Sequence, residues 1–235
     1  MPTNAETKLS FSDDHIDARW VTEAINYPID PRTIVVNTST RPVNYVGGVE
    51  GMVAPWKSTI LERTTIRSAD SLVTLRVTQI TNIGGVVLGK NWRWYGSEAT
   101  TFPQGTPLYI STQDGIGQAQ IDPRFFCHQK DQPDAPEPFD VRVNLWFTPE
   151  QTDCVIHTGH TFLEIHTQVF GTGHMQKFYE DSEETLYEDV FMPPGLTNEP
   201  FPVVDPDGQF NYPWHRYFAD TDCIWLVIEL HPQAG

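Results

Sequence analysis

His157-Thr158-Gly159-His160-Thr161-Phe162-Leu163-Glu164-Ile165-His166-Thr167-Gln168 is the stretch on which the reading of this chain turns. It is rich in β-branched and aromatic residues, so it reads as a strand. On a strand, alternate side chains share a face. That rule puts His160, Phe162, Glu164, His166 and Gln168 on one side, so several groups able to hold a metal or move a proton point into one space. His157 has the opposite parity. It joins them only if the chain kinks between 157 and 160, and Gly159 makes such a bulge feasible. Imidazoles with one carboxylate suit Fe(II), Mn(II), Ni(II), Zn(II) or Cu(II). Against this stands a plainer reading, in which strand histidines are satisfied core or surface residues.

Working outward, short strands are expected at Val141–Phe147, Thr161–Phe170, His174–Tyr179, Thr185–Phe191 and Asp222–Leu230. Their even spacing points to a sandwich or barrel. Asp131–Phe139 holds three prolines in nine residues and reads as a linker or long loop. Before it, strands are expected at Thr33–Asn37, Ser58–Ile66, Ser71–Ile80, Gly85–Leu88, Trp92–Tyr95 and Pro107–Thr112. At the N-terminus, Ser12 as a cap and Ile16, Trp20 and Ala24 at four-residue spacing predict one short amphipathic helix, ended by Pro28.

The spacing around Glu164 resembles the first motif of the cupin superfamily. Glu164 follows His160 with three residues between, Gly171 follows Glu164 with six between, and Gly173 completes a Gly-x-Gly turn. Glu188-Asp189-Val190-Phe191-Met192-Pro193-Pro194-Gly195 is similar to that family's second motif, with Glu188 in a glycine's place. The second motif's last histidine falls at Asn198. His215, 215 − 198 = 17 residues further on, sits in Tyr212-Pro213-Trp214-His215 before a hydrophobic strand, as the family's histidine does. An insertion between Gly195 and His215 follows, either a lid over the barrel mouth or a packing loop that seals an edge strand.

The resemblance covers about residues 141–232 and carries its implications as expectations. The fold is all-β: a cupin-like antiparallel double-stranded β-helix, or jelly-roll barrel, with an N-terminal β-rich extension. Residues 1–130 form that extension or a degenerate second barrel, and residues 131–235 the barrel with the metal site. His157, His160, Glu164 and His215 hold one divalent transition metal, Fe(II) foremost, with Mn, Ni or Zn as alternatives. Without His157 the set is two histidines and one carboxylate, which suits non-haem Fe(II). His166 and Gln168 serve as catalytic groups. The implied function is a metal-dependent enzyme acting on a small molecule, of dioxygenase, isomerase or lyase type; a non-catalytic cupin that binds a small ligand is the alternative.

Composition narrows the partners. The chain has 235 residues, 39% hydrophobic and 12% aromatic, enough for a real core. Fifteen Lys and Arg against thirty-one Asp and Glu give a net charge of −16, which disfavours nucleic acid and anionic membranes. A small-molecule substrate is expected, and a homodimer is compatible. The N-terminus lacks a signal-peptide core, and Cys127, Cys154 and Cys223 form no paired pattern. The expected location is cytoplasmic.

Overall fold

The computed structural model describes residues 3–89, 91–97, 99 and 102–233. Three antiparallel sheets lie in successive layers. The N-terminal sheet runs Ala5–Lys8, Ile16–Ile29, Thr64–Val77, Thr33–Asn37, Ser58–Leu61, with the hairpin Val43–Gly47 and Val49–Val53 also set against Thr64–Val77. The central sheet runs Leu163–Phe170, Cys223–Pro232, Glu137–Thr148, Tyr109–Ser111, Trp92–Trp94, and Asp114–Ile121 also pairs with Glu137–Thr148. The outer sheet runs Thr152–Asp153, Trp214–Ala219, Gly173–Phe178, Leu186–Met192. The protein is thus all-β and antiparallel, with few helical residues, and the central and outer sheets face each other as the two walls of a barrel.

The sequence explains why the central sheet is in the middle. Cys223-Ile224-Trp225-Leu226-Val227-Ile228 is buried at every position, and a strand covered on both faces needs such a continuous apolar run. The odd residues Val141, Val143, Leu145, Phe147, Leu163 and Ile165 join Ile16, Ala18, Ile34, Val36, Val73 and Leu75 of the N-terminal sheet in one core. Trp225, Met175, Met192, Tyr217 and Ala219 form a second core between the central and outer sheets. Strands from the stretch before residue 130, Trp92–Trp94, Tyr109–Ser111 and Asp114–Ile121, hydrogen-bond into the same central sheet as residues 137–148.

The N-terminal helix expectation is overturned: Ile16–Ile29 is a strand, paired along its length with Thr64–Val77. The reason is that this strand serves two cores in turn. Ile16 and Ala18 face the core shared with the central sheet, whereas Val21, Ala24 and Ile29 face a different apolar cluster on the other side of the N-terminal sheet. Glu23 sits in the left-handed region at φ 50°, between Val21 and Ala24 of the second set. The face switch from Ala18 to Val21 and the irregularity at Glu23 break the two-residue period into gaps of three, which imitates a helix. Gly85–Leu88 also departs from its expected strand and lies in the 3-10 turn Ile83–Leu88. Ser58–Leu61 and Thr64–Val77 stand in place of the expected Ser58–Ile66 and Ser71–Ile80, so the break falls earlier and the second strand is longer.

Two glycines of the motif are required by close packing. Gly171 turns the chain from the central to the outer sheet at φ 72°, and a Cβ there would lie 1.9 Å from the Asp222 carbonyl oxygen. A Cβ on Gly173 would lie 2.4 Å from the Phe218 carbonyl oxygen. Any side chain would push the two sheets apart at their junction.

The insertion after Gly195 seals the free edge of Leu163–Phe170. The Gly195 N–H donates to the Gln168 carbonyl and the Gln168 N–H to the Leu196 carbonyl. The Asn198 N–H donates to the His166 carbonyl, and Thr167 bridges to Thr197. Further on, Val203–Val204 and Phe210–Asn211 form a hairpin, with the Arg124 guanidinium and the Gln129 amide bonded to the Asp205 and Val204 carbonyls. An edge strand left open exposes unpaired backbone groups, and here the inserted segment takes them up.

Candidate metal centre

Strand Leu163–Phe170 keeps the alternation its sequence implies. Leu163 and Ile165 enter the core shared with the N-terminal sheet, so Glu164, His166 and Gln168 face the outer sheet, all buried. Across the gap, strand Trp214–Ala219 brings His215, which has no exposed surface.

His157 reaches the same space by a kink. Val155 and Gly159 both lie in the left-handed region, at φ 71° and 90°. For a β-branched residue that conformation is strained, and such strain gathers at functional sites. Between the two kinks, His157 forms an antiparallel bridge with His215, each N–H donating to the other's carbonyl at 2.9 Å. The two imidazole rings therefore stand side by side, centroids 4.3 Å apart. His160, on the segment leading into the strand, completes the group.

One ligand atom each from His157, His160, Glu164 and His215 lies within 4.8 Å of the others. The His160 and His215 Nε2 atoms are 3.3 Å apart, and they lie 3.4 and 3.6 Å from Glu164 Oε1. With metal–ligand bonds of about 2.0–2.2 Å, adjacent donors of a tetrahedral or octahedral site are roughly 3.0–3.5 Å apart. The edges among His160, His215 and Glu164 come close to that size, and the set of four lies within 4.8 Å.

The orientation of two rings is fixed from behind. His157 Nδ1 lies 2.9 Å from the Val155 carbonyl oxygen, and His215 Nδ1 lies 2.9 Å from that of Pro213. A carbonyl requires a donor, so Nδ1 carries the proton and Nε2 offers a lone pair to the centre. Ligating histidines are held in this way.

Electrostatics agree with a ligand set ready for a cation. Burial, together with the neighbouring His215, pushes His157 down to about 4. Burial also lowers His160. For Glu164, burial raises the carboxyl, but His160, His166 and His215 outweigh it and hold it well below its usual range. At neutral pH His157 and His160 are therefore neutral and Glu164 is ionised, the forms in which these groups bind metals.

His166 stands behind Glu164, its Nε2 3.6 Å from Oε2, the oxygen turned away from His160 and His215. Its ring stacks on Tyr217, with centroids 3.9 Å apart and planes 4° from parallel. Neither ring nitrogen has a hydrogen-bond partner among the described residues. Gln168 lies two residues deeper. Its amide nitrogen donates to the Phe170 carbonyl and the Cys223 sulfur, and its Oε1 is unpartnered. Cys154 is buried and outside the cluster, and all three cysteines are unpaired.

Reading the sequence missed Tyr212 and gave Asn198 no task. The Asn198 side-chain oxygen accepts the His166 N–H at 2.6 Å, and the Tyr212 hydroxyl accepts the Glu164 N–H at 2.9 Å. No local signal marks either one, because their partners lie tens of residues earlier in the chain.

No protein-family model matches the sequence, and no curated protein matches it. Among solved structures it is similar to a cupin 2 conserved barrel domain protein from Leptotrichia buccalis, 5% identical over 97% of this chain and 88% of that one, TM-score 0.29. It is also similar to an oxalate decarboxylase of Bacillus subtilis with Mn(II) centres, 8% identical over 100% and 79%, TM-score 0.30. A third is an oxalate oxidase in complex with the substrate analogue glycolate, 17% identical over 40% of this chain, TM-score 0.29; the match spans 43% of that protein's length. The first of these carries the name of the family that the motifs resemble. Among the described residues no helix is long and apolar enough to cross a membrane.

Proposed function

We propose that this protein is a metal-dependent enzyme that acts on a small molecule, with one divalent first-row ion held by His157, His160, Glu164 and His215. The observation that carries the reading is the convergence of four donor atoms within 4.8 Å, with the two flanking imidazoles turned Nε2-inward by carbonyls behind them. A core histidine needs no such arrangement.

Three imidazoles and one carboxylate accept Mn(II), Fe(II), Ni(II) or Zn(II). Because His157 folds into the set, the two-histidine argument that singled out Fe(II) no longer applies. A bound ion there would supply Lewis-acid polarisation of a substrate oxygen, or activation of dioxygen where it is redox-active. The chain's own groups do the rest. His157 and His160 are only partly buried, so the small molecule enters from their side. His166 exchanges a proton with it at Nε2, and Glu164 Oε2 orients that ring. Gln168 accepts a hydrogen bond through Oε1. The reaction is of dioxygenase, isomerase or lyase type.

The test is metal content. The purified protein should take up about one divalent ion per chain from Mn(II), Fe(II), Ni(II) or Zn(II), and at 100 times the Kd this should add about 2.7 kcal/mol to its stability. Glu164→Ala should lose both the ion and the added stability, since it removes the one charged ligand. If none of the four ions binds and none shifts the melting curve, the reading is wrong.

A further inference from the structure

The segment from Leu196 to Tyr212 does more than cover an edge. The N–H and C=O groups of the even residues of Leu163–Phe170 point away from Cys223–Pro232 and need partners elsewhere. Backbone groups of Gly195, Leu196 and Asn198 serve Gln168 and His166. At Glu164 the inserted backbone has diverged, and a side chain takes over. The Tyr212 hydroxyl accepts the Glu164 N–H at 2.9 Å and donates to the Phe162 carbonyl at 3.1 Å. One hydroxyl thus replaces a strand's worth of pairing at the position that carries the carboxylate ligand.

Tyr212 meets the other ligands too. Its ring stands edge-on to His160, centroids 4.8 Å apart, and lies 5.6 Å from the ring of His215. Its carbonyl accepts the Thr158 hydroxyl at 2.7 Å, one residue from His157. Phe201 packs edge-on against both Tyr212 and His215. Tyr212 therefore touches the backbone of Glu164 and the rings of two histidines through its side chain, and the turn that holds the third through its carbonyl.

We infer that Tyr212 is the positioning residue of the centre: by bonding the Glu164 and Phe162 backbone, holding Thr158 at its own carbonyl and wedging its ring beside His160 and His215, it sets the separation of the donor atoms. This rests on the metal-site reading above. The hydroxyl has one hydrogen, already given to the Phe162 carbonyl. Tyr212 does not act as a proton donor to substrate. Its effect passes through the ligands, as with other groups that orient a metal's donors.

Tyr212→Phe keeps the ring and removes the hydroxyl. The expected result has two parts. Affinity for Mn(II), read by titration of the metal-free protein, falls 10–100-fold, and the EPR spectrum of the Mn(II)-loaded protein changes shape. In the metal-free protein the imidazole carbon–proton NMR peaks of His160 and His215 move. Thr158→Val, which loses only the bond to the Tyr212 carbonyl, moves the same readouts in the same direction and by less; if Tyr212→Phe does not fold, this variant decides. A variant with a lower melting temperature but wild-type Mn(II) affinity, EPR spectrum and imidazole peaks overturns the inference, because Tyr212 would then be packing alone. If the unaltered protein binds no metal, the metal reading fails by itself, and the positioning of His160 and His215 is judged on the imidazole peaks.

Discussion

The two faces of strand Leu163–Phe170 are built on opposite principles. Toward the N-terminal sheet it presents Leu163, Ile165 and Val169, and all three are buried in the apolar core. Toward the outer sheet it presents Glu164, His166 and Gln168, equally buried but polar. The first face stabilises the fold, at about 1.5–3 kcal/mol for a large aliphatic side chain. The second costs stability where His166 and the Gln168 Oε1 lack hydrogen-bond partners and lose the water they would otherwise bind. Residues one position apart thus contribute with opposite sign. A chain keeps the costly face when that face does something, and here it points at the four converging donors.

Breaking the apolar face should give the largest effect on stability. Leu163→Ala removes a fully buried side chain between two sheets and should cost about 2–5 kcal/mol, read by urea unfolding of the metal-free protein. The fraction that remains folded should bind metal with wild-type affinity, because Leu163 points away from the centre. Metal affinity lost in step with stability would show that the two faces are not separable.

Acid should strain the polar face next. In the metal-free protein His157 takes up its proton near pH 4 rather than at the ordinary 6.5. Between those values the unfolded chain binds more protons than the folded one, so stability falls as pH is lowered from 6.5 to 4. The slope from one such group is at most about 1.4 kcal/mol per pH unit. His160, also lowered, steepens the loss in the same direction. Urea midpoints across this range should fall with pH, and His157→Gln should flatten the slope. A flat profile in the unaltered protein would mean that the histidine cluster is not buried as described.

His166→Phe should give the smallest change. Phenylalanine can stack on Tyr217 as the imidazole does and brings no unpaired nitrogen. The metal-free protein should therefore keep its stability within about 1 kcal/mol or gain slightly, while turnover of any substrate that the loaded enzyme accepts should fall. A clear loss of stability would mean that His166 has a structural partner.

Much of this was legible locally. The alternation at 160–168 put Glu164, His166 and Gln168 on one face, and the six-residue gap from Glu164 to Gly171 marked the turn where the Asp222 carbonyl leaves no room for a Cβ. Ile16–Ile29 was misread because its apolar residues belong to two cores on opposite faces of one sheet. A one-dimensional pattern records which residues are buried and not against what. His157 could be placed only conditionally, since parity put it on the wrong side and only a kink could reverse that.

By itself the sequence determined the all-β class, the faces of the site strand and the pool of candidate ligands, because these follow from residue type and a two-residue period. The tertiary structure decided the rest. The bridge between His157 and His215 joins segments 58 residues apart (215 − 157 = 58), and the Tyr212 hydroxyl reaches the Glu164 N–H across 48. Spacing cannot encode such contacts. They depend on the central and outer sheets closing over one another, and on an inserted segment taking up the backbone groups that an edge strand would leave unpaired.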